Sequence, residues 1–132
     1  MKGADTTVLI DALREDPRLG RILDGLDDEG VVTTEVNVFE TLLGIYFNEG
    51  LKLQRRLEKA RALFENLIVL PLEREGADRA ARLAAQLARE GRTIGTGDAL
   101  VAGILLNRGI NTLVTRDVEH FGRIRGLKVE TY

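Results

Sequence analysis

The sequence contains no cysteine and only one histidine, His120. The lack of cysteine excludes thiol catalysis, cysteine-based zinc sites and a disulfide framework. A single histidine excludes acid–base catalysis by a histidine pair, and we expect His120 to lie exposed on a helix. The longest apolar run, Ala99 to Leu106, is far shorter than the roughly 20 residues that span a bilayer. We therefore expect a soluble, cytoplasmic protein without a membrane span.

The charge balance of the chain is slightly acidic, since 19 basic residues oppose 21 acidic residues for a net charge of −2. This balance argues against the broad basic surface of many nucleic-acid-binding proteins. Two basic clusters interrupt it: Lys52, Arg55, Arg56, Lys59 and Arg61, and then Arg116, Arg123, Arg125 and Lys128. Each cluster alone is more typical of a solvated helix face than of a binding site.

Short apolar segments alternate with helical patterns along the chain. We predict strands within residues 2–5 and at 31–33, 67–70, 112–115 and 127–130. We predict a helix opening at Thr6 or Thr7, and further helices over about 17–30, 35–48, 51–64, 73–90, 97–108 and 117–124. Strands separated by helices pair in parallel through right-handed crossovers. The 132 residues therefore predict one domain, 1–132, built as a three-layer α/β/α sandwich.

Four carboxylates occupy positions that this topology can bring together, namely Asp5, Glu40, Asp98 and Asp117. Asp5 and Asp117 each follow a predicted strand, and Asp98 begins a predicted helix. In open parallel sheets the carboxyl ends of the strands form the edge at which ligands bind. Glu40 interrupts an otherwise apolar helix stripe, where a buried ionised carboxylate requires a compensating charge. The sequence therefore predicts that the four acids meet at one edge of the sheet.

Each of these acids also has a purely structural interpretation. Asp5 and Asp117 could cap the helices that follow them, and Asp98 could be a first-turn acid favoured by the helix dipole. Glu40 could pair with an arginine at the edge of its stripe. As a set, however, the acids would repel one another, and a divalent cation relieves that repulsion. Oxygen ligands without paired histidine or cysteine suit Mg²⁺ or Mn²⁺ rather than zinc.

Four segments, taken in order, resemble the PIN-domain family and within it the small VapC-type toxins of prokaryotic toxin–antitoxin pairs. They are Asp5-Thr6-Thr7-Val8-Leu9-Ile10-Asp11, Glu40 with Gly44, Gly97-Asp98-Ala99-Leu100-Val101-Ala102, and Thr115-Arg116-Asp117. The resemblance covers essentially the whole chain. It departs from the family pattern in a less apolar first strand and in the glycine-rich stretch around Gly97.

The resemblance implies an α/β fold with a central parallel sheet of about five strands and Mg²⁺- or Mn²⁺-dependent endoribonuclease activity. It also implies a homodimer and a cognate antitoxin protein. The family's catalytic acids fall on Asp5, Glu40, Asp98 and Asp117, of which Asp5, Asp98 and Asp117 would hold one or two metal ions. Glu40 would orient the attacking water or a second ion. Thr6 and Thr115 would orient carboxylates or a phosphate oxygen, and Arg116 would neutralise charge on the RNA backbone.

Two other functions stay open at the level of the sequence. The opening Asp5-Thr6-Thr7-Val8 invites comparison with aspartyl-nucleophile phosphatases and dehalogenases, although those enzymes commonly carry an acid where this chain has Thr7. A catalytically silent PIN-like binding module is the non-enzymatic alternative, against which the presence of all four acids argues. The apolar face of the 51–64 helix, with Leu53, Leu57, Ala60 and Phe64, could pack in the core or form a groove for an antitoxin segment.

Overall fold

A computed structural model describes residues 1–20 and 30–132 of the chain. Its strands are β1 Lys2–Ala4, β2 Val31–Thr34, β3 Ile68–Leu70, β4 Thr112–Val114 and β5 Lys128–Glu130. Its helices are α1 Thr6–Leu13, α2 Glu35–Phe47, α3 Leu53–Glu65, α4 Arg74–Arg89, α5 Thr96–Asn107 and α6 Val118–Phe121. These elements confirm the predicted ones to within a few residues at each end. The helix predicted over 17–30 lies mostly outside the described residues.

All five strands pair in parallel, in the order β3-β2-β1-β4-β5. β1 is the central strand, where Gly3 pairs with Val32 on one side and Leu113 on the other. The chain builds one half of the sheet outward from β1 and then crosses back to build the other half. This reversal makes the carboxyl end of β1 the switch point at which α/β sheets bind ligands.

The alternating side chains of the strands divide the interior into two apolar layers. Val32 and Leu113 face one layer, which is filled largely by α5. Ala4 and Val114 face the other layer, where Val8 of α1 packs against them. Helices therefore cover both faces of the sheet, and the prediction of a three-layer α/β/α sandwich is confirmed.

Two glycines allow α5 to pack closely against its neighbours. A Cβ atom at Gly3 would lie 2.7 Å from a methyl carbon of Leu105, so the side-chain-free strand leaves room for the helix. A Cβ atom at Gly103 would lie 2.5 Å from the carbonyl oxygen of Gly76 on α4. α5 is thereby fixed between the sheet and α4, with its first turn at the carboxyl edge of the strands. In the part of the chain that the structure describes, no helix is long and apolar enough to cross a membrane.

Candidate active site

The four predicted acids lie at the carboxyl edge of the sheet. Asp5 directly follows β1, and Asp117 follows β4 by three residues. Asp98 lies in the first turn of α5, and Glu40 lies in α2. Their proximity shows in their electrostatics, because burial raises the pKa of Glu40 and the charges of Asp98 and Asp5 raise it further. The convergence predicted from the topology is therefore present.

Asp5 is the most enclosed of the four, with 4% of its surface exposed. Its Oδ1 caps α1 by accepting from the backbone N–H groups of Thr7 and Val8 at 3.0 and 3.3 Å, and from Thr7 Oγ1 at 2.6 Å. Among the described residues, the one donor to its Oδ2 is Thr115 Oγ1, at 2.5 Å. Burial raises the pKa of Asp5 in spite of these bonds. The capping interpretation is thus confirmed, while Oδ2 keeps a lone pair that could bind a cation.

Asp98 and Asp117 form a close carboxylate pair with His120 between them. His120 Nδ1 lies 2.8 Å from Asp117 Oδ2 and 3.4 Å from Asp98 Oδ2. One ligand atom from each of the three residues lies within 4.8 Å of the others, so the group could hold a metal ion. Burial and the charge of Asp117 raise the pKa of Asp98, while His120 lowers it. Asp117 occupies the N-cap position of α6 but makes no side-chain capping bond there.

His120 is exposed on a helix, as predicted, with 52% of its side chain accessible. Its contact with the two acids was not predicted. The spacing from Asp117 to His120 is three residues, which places two side chains on the same side of a helix. That spacing is the signal in the sequence that could have shown the contact.

A buried polar network holds Glu40 in place. Glu40 Oε1 accepts from Thr6 Oγ1 at 3.1 Å, and Thr6 Oγ1 accepts in turn from Asn37 Nδ2 at 3.1 Å. Asn37 is itself fixed by Thr34 Oγ1, which donates to its Oδ1 at 2.8 Å. No arginine among the described residues pairs with Glu40, so the alternative of an arginine partner is not observed. Asn37 was not singled out in the sequence, although it precedes Glu40 by one helical turn.

The glycine-rich start of α5 lies directly against Glu40. A Cβ atom built at Gly97 would lie 3.6 Å from Glu40 Oε2. The carboxylate of Glu40 therefore packs on the turn that carries Asp98, which explains the influence of Asp98 on the pKa of Glu40. The departure from the family pattern at Gly97 thus falls inside the site.

Thr115 links two of the acids. Its hydroxyl donates to Asp5 Oδ2 at 2.5 Å and accepts from the backbone N–H of Asp117 at 2.8 Å. The hydroxyl of Thr115 therefore connects the carboxylate at the end of β1 to the backbone of the loop that carries Asp117. These hydrogen bonds are the contacts that the predicted orienting role of Thr115 would use.

Arg116 is engaged by a buried acid. Its Nε and Nη2 lie 2.6 and 3.1 Å from the two carboxylate oxygens of Asp11, a bidentate pair. The hydroxyl of Tyr132 donates to Asp11 Oδ2 at 2.5 Å. The sequence suggested that Arg116 neutralises charge on the RNA backbone, and in the structure its guanidinium pairs with Asp11. Neither Asp11 nor Tyr132 was predicted to take part in the site.

The donor set fits a divalent cation. Burial raises the pKa of Asp5, Glu40 and Asp98, and a cation bound beside them would favour their ionised forms. No arginine of the described residues pairs with any of the four acids. Clustered carboxylate oxygens are the ligands of hard divalent cations.

The chain thus has an α/β fold whose parallel sheet gathers carboxylates, and with them a candidate metal site, at its switch point. The PIN domain family model matches residues 4–127. The chain therefore belongs to the PIN-domain family, which confirms the resemblance seen in the four sequence segments.

VapC proteins and their complexes are among the similar proteins. The tRNA(fMet)-specific endonuclease VapC of Salmonella typhimurium is 26% identical over 128 residues, covering 97% of this chain and 95% of that protein. The DNA-bound VapBC structure from Salmonella typhimurium has a TM-score of 0.86 at 25% identity, covering 98% and 96% of the two chains. VapBC2 from Rickettsia felis, bound to a promoter DNA fragment, has a TM-score of 0.88 at 20% identity, covering 99% and 98%. These matches confirm the predicted fold and the VapC-type resemblance.

Proposed function

We propose that this protein is a Mg²⁺- or Mn²⁺-dependent endoribonuclease that hydrolyses RNA phosphodiester bonds, and that it is the toxin of a toxin–antitoxin pair. The observation that carries the proposal is the convergence of Asp5, Glu40, Asp98 and Asp117 at one edge of the sheet, where burial raises the pKa of Asp5, Glu40 and Asp98. Membership of the PIN-domain family and the endonuclease name of the Salmonella relative support it.

Asp5, Asp98 and Asp117 are the proposed metal ligands. Asp5 offers Oδ2, the less saturated of its oxygens, and Asp98 and Asp117 offer oxygens that lie beside His120. A bound Mg²⁺ or Mn²⁺ would lower the pKa of water to give a nucleophile and stabilise negative charge on the phosphate. Without a bound cation the ionised acids repel one another, so we expect the charge on each acid to influence the others.

Glu40 is the proposed residue that orients the attacking water and accepts a proton from it. Its raised pKa moves it toward the range in which a carboxylate serves as a general base. Thr6 fixes the rotamer of Glu40 through its 3.1 Å hydrogen bond. Thr115 fixes Asp5 and the backbone at Asp117. We assign Arg116 an orienting role, because its pair with Asp11 anchors the loop between Thr115 and Asp117 to α1.

The decisive assay is cleavage of RNA in Mg²⁺, in EDTA and by Asp98→Asn. Asp78→Asn is the matched control, because Asp78 is an exposed acid on α4 that pairs with Arg82 at 3.1 Å. We expect cleavage by the wild type and Asp78→Asn in Mg²⁺, and a loss of at least a hundredfold in EDTA and with Asp98→Asn. Undiminished cleavage in either case would contradict the metal mechanism.

The two alternatives have distinct outcomes. A silent binding module would bind Mn²⁺ and cleave no RNA. An aspartyl-nucleophile enzyme would form an acyl-phosphate on Asp5, which acid quenching would trap. The structure argues against a nucleophilic Asp5, because three donors occupy its Oδ1 and 4% of the residue is exposed.

The first substrate to test is a tRNA, because the Salmonella relative is named a tRNA(fMet)-specific endonuclease. A cognate antitoxin is proposed from the VapBC complexes among the similar structures.

A homodimer is proposed from the apolar side chains that α2 exposes, of which Phe39 and Phe47 are 63% and 85% accessible. Phe47→Ser should lower the molar mass in solution by light scattering if a second copy covers this face.

A further inference from the structure

A large groove lies in the crevice between α1 and α2, one helical turn from the candidate active site, with α3 forming its far wall. Its volume is about 1100 Å³. Ile10 and Gly44 line it, and they lie one helical turn beyond Thr6 and Glu40, whose side chains touch at 3.1 Å. The groove therefore begins one turn from the carboxylates and leads away from them.

The wall of this groove is strongly basic. Among the described residues, its charged lining consists of the cations Arg14, Lys52, Arg55, Arg56 and Lys59 and a single acid, Glu49. The four cations from α3 and its N-cap are Lys52, the adjacent Arg55 and Arg56 one turn later, and Lys59 a further turn on, so they form a stripe about 10 Å long on one side of the helix. Among the described residues, no carboxylate forms an ion pair with any of the five.

An RNA strand approaching the site meets a concentration of negative charge. The four carboxylates repel its phosphates, and a metal ion compensates only at the reacting bond. Arg116 could have offset this repulsion, but it is bound to Asp11 in a bidentate pair. The groove cations, which form no ion pair within the described part of the chain, are therefore charges that can hold the strand beside the site, although Lys59 Nζ also donates to the carbonyl oxygen of Leu13 at 3.4 Å.

We propose that the basic groove between α1, α2 and α3 binds the sugar–phosphate backbone of the RNA strand whose scissile bond lies at the carboxylates. This inference rests on the proposed function. Around the cations, the described lining is aliphatic, with Ile10, Leu13, Ile45 and Leu51, and includes no aromatic ring. Base stacking is therefore not available in this lining, and binding through phosphates predicts affinity that depends strongly on salt and weakly on sequence.

The test is the binding of a fluorescently labelled, unstructured oligoribonucleotide in EDTA, where the proposed cleavage is prevented. Arg55→Gln/Arg56→Gln removes two exposed cations from the groove, and Arg79→Gln/Arg89→Gln removes two exposed cations from α4. We expect the groove variant to bind about tenfold more weakly and to reduce the logarithmic salt slope by about 1.4, since each single-strand phosphate contact contributes about 0.7. The α4 control should bind like the wild type.

In Mg²⁺ the same groove variant should raise KM for RNA cleavage and leave kcat unchanged. The proposal is overturned if the groove variant binds RNA with the same affinity and salt slope as the α4 control while the wild type still cleaves RNA. Weaker binding of an acidic antitoxin peptide with unchanged RNA affinity would also overturn it, because it would assign the groove to a protein. A wild type that binds RNA with the expected slope but does not cleave it would contradict the nuclease function and leave the groove assignment standing.

Discussion

The repulsion between Asp98 and Asp117 can be measured directly in the metal-free protein. Carboxylate oxygens of the two residues lie within 4.8 Å of each other. At that separation two unit charges repel by about 0.9 kcal/mol in water and by about 3.5 kcal/mol at an effective dielectric constant of 20. The side chains are 24% and 37% exposed, so screening keeps the value near the lower limit. We expect about 1 kcal/mol of repulsion.

Single substitutions would mix this repulsion with other effects. Asp98→Asn also loses the favourable interaction of a first-turn acid with the helix dipole, about 0.3–1 kcal/mol. Both carboxylates also contact His120, which each substitution would perturb. A double-mutant cycle with Asp98→Asn and Asp117→Asn cancels these separate terms and leaves the coupling between the two charges.

The assay is urea unfolding of the four proteins in EDTA, with the free energy of unfolding extrapolated to water. The expected coupling is repulsive, so each substitution stabilises the protein more while the other aspartate is still present. Mg²⁺ at a hundredfold excess over its Kd should stabilise the wild type by about 2.7 kcal/mol, and the double variant by much less. A coupling of zero or an attractive coupling in EDTA would refute the account of two carboxylates held together at a cost.

Three further predictions concern the surroundings of the site. Arg116→Met leaves Asp11 buried without its guanidinium and should destabilise the protein by about 3 kcal/mol in urea unfolding; an unchanged midpoint would contradict the pair. Gly103→Ala should cost about 2 kcal/mol or more, because its methyl group would lie 2.5 Å from a backbone oxygen of α4, whereas Gly44→Ala, which meets nothing within 4 Å, should stabilise by up to about 1 kcal/mol. Equal effects of the two alanines would contradict that packing. Burial raises the pKa of Glu40 above its ordinary 4.5. The protonated carboxyl group therefore contributes to the stability of the folded protein below pH 4.5, and this contribution is lost as the pH rises through the raised pKa. The stability gained by Glu40→Gln over the wild type in EDTA should therefore grow with pH, and a constant difference would contradict the shift.

Most elements of the fold could be predicted because apolar periodicity and helix ends are local properties. β1 is the exception, since Lys2-Gly3-Ala4 has little intrinsic strand preference. A strand is predicted there only because a helix follows it. The structure gives the reason for the glycine in this strand, since Leu105 lies too close to Gly3 to leave room for a side chain. The order of the strands was not predicted, because short parallel strands of similar composition do not identify their neighbours.

The positions of the four acids at the strand ends and helix starts could be predicted from the topology. Contacts between distant parts of the chain could not. Asp11 and Arg116 are separated by 105 residues, and nothing local distinguishes Arg116 from a free surface cation. The network through Asn37 and Thr34 was likewise not predicted, because buried polar residues resemble ordinary helix-capping residues in the sequence.

The central claim is that Asp5, Asp98 and Asp117 bind a divalent cation at the carboxyl end of β1. A crystal structure determined in Mn²⁺, with anomalous data, tests this claim most directly. We expect an anomalous peak among the three carboxylates, and its loss in Asp98→Asn crystals grown in the same buffer. A wild-type structure with no peak there, from protein that cleaves RNA in the same Mn²⁺ buffer, would contradict it.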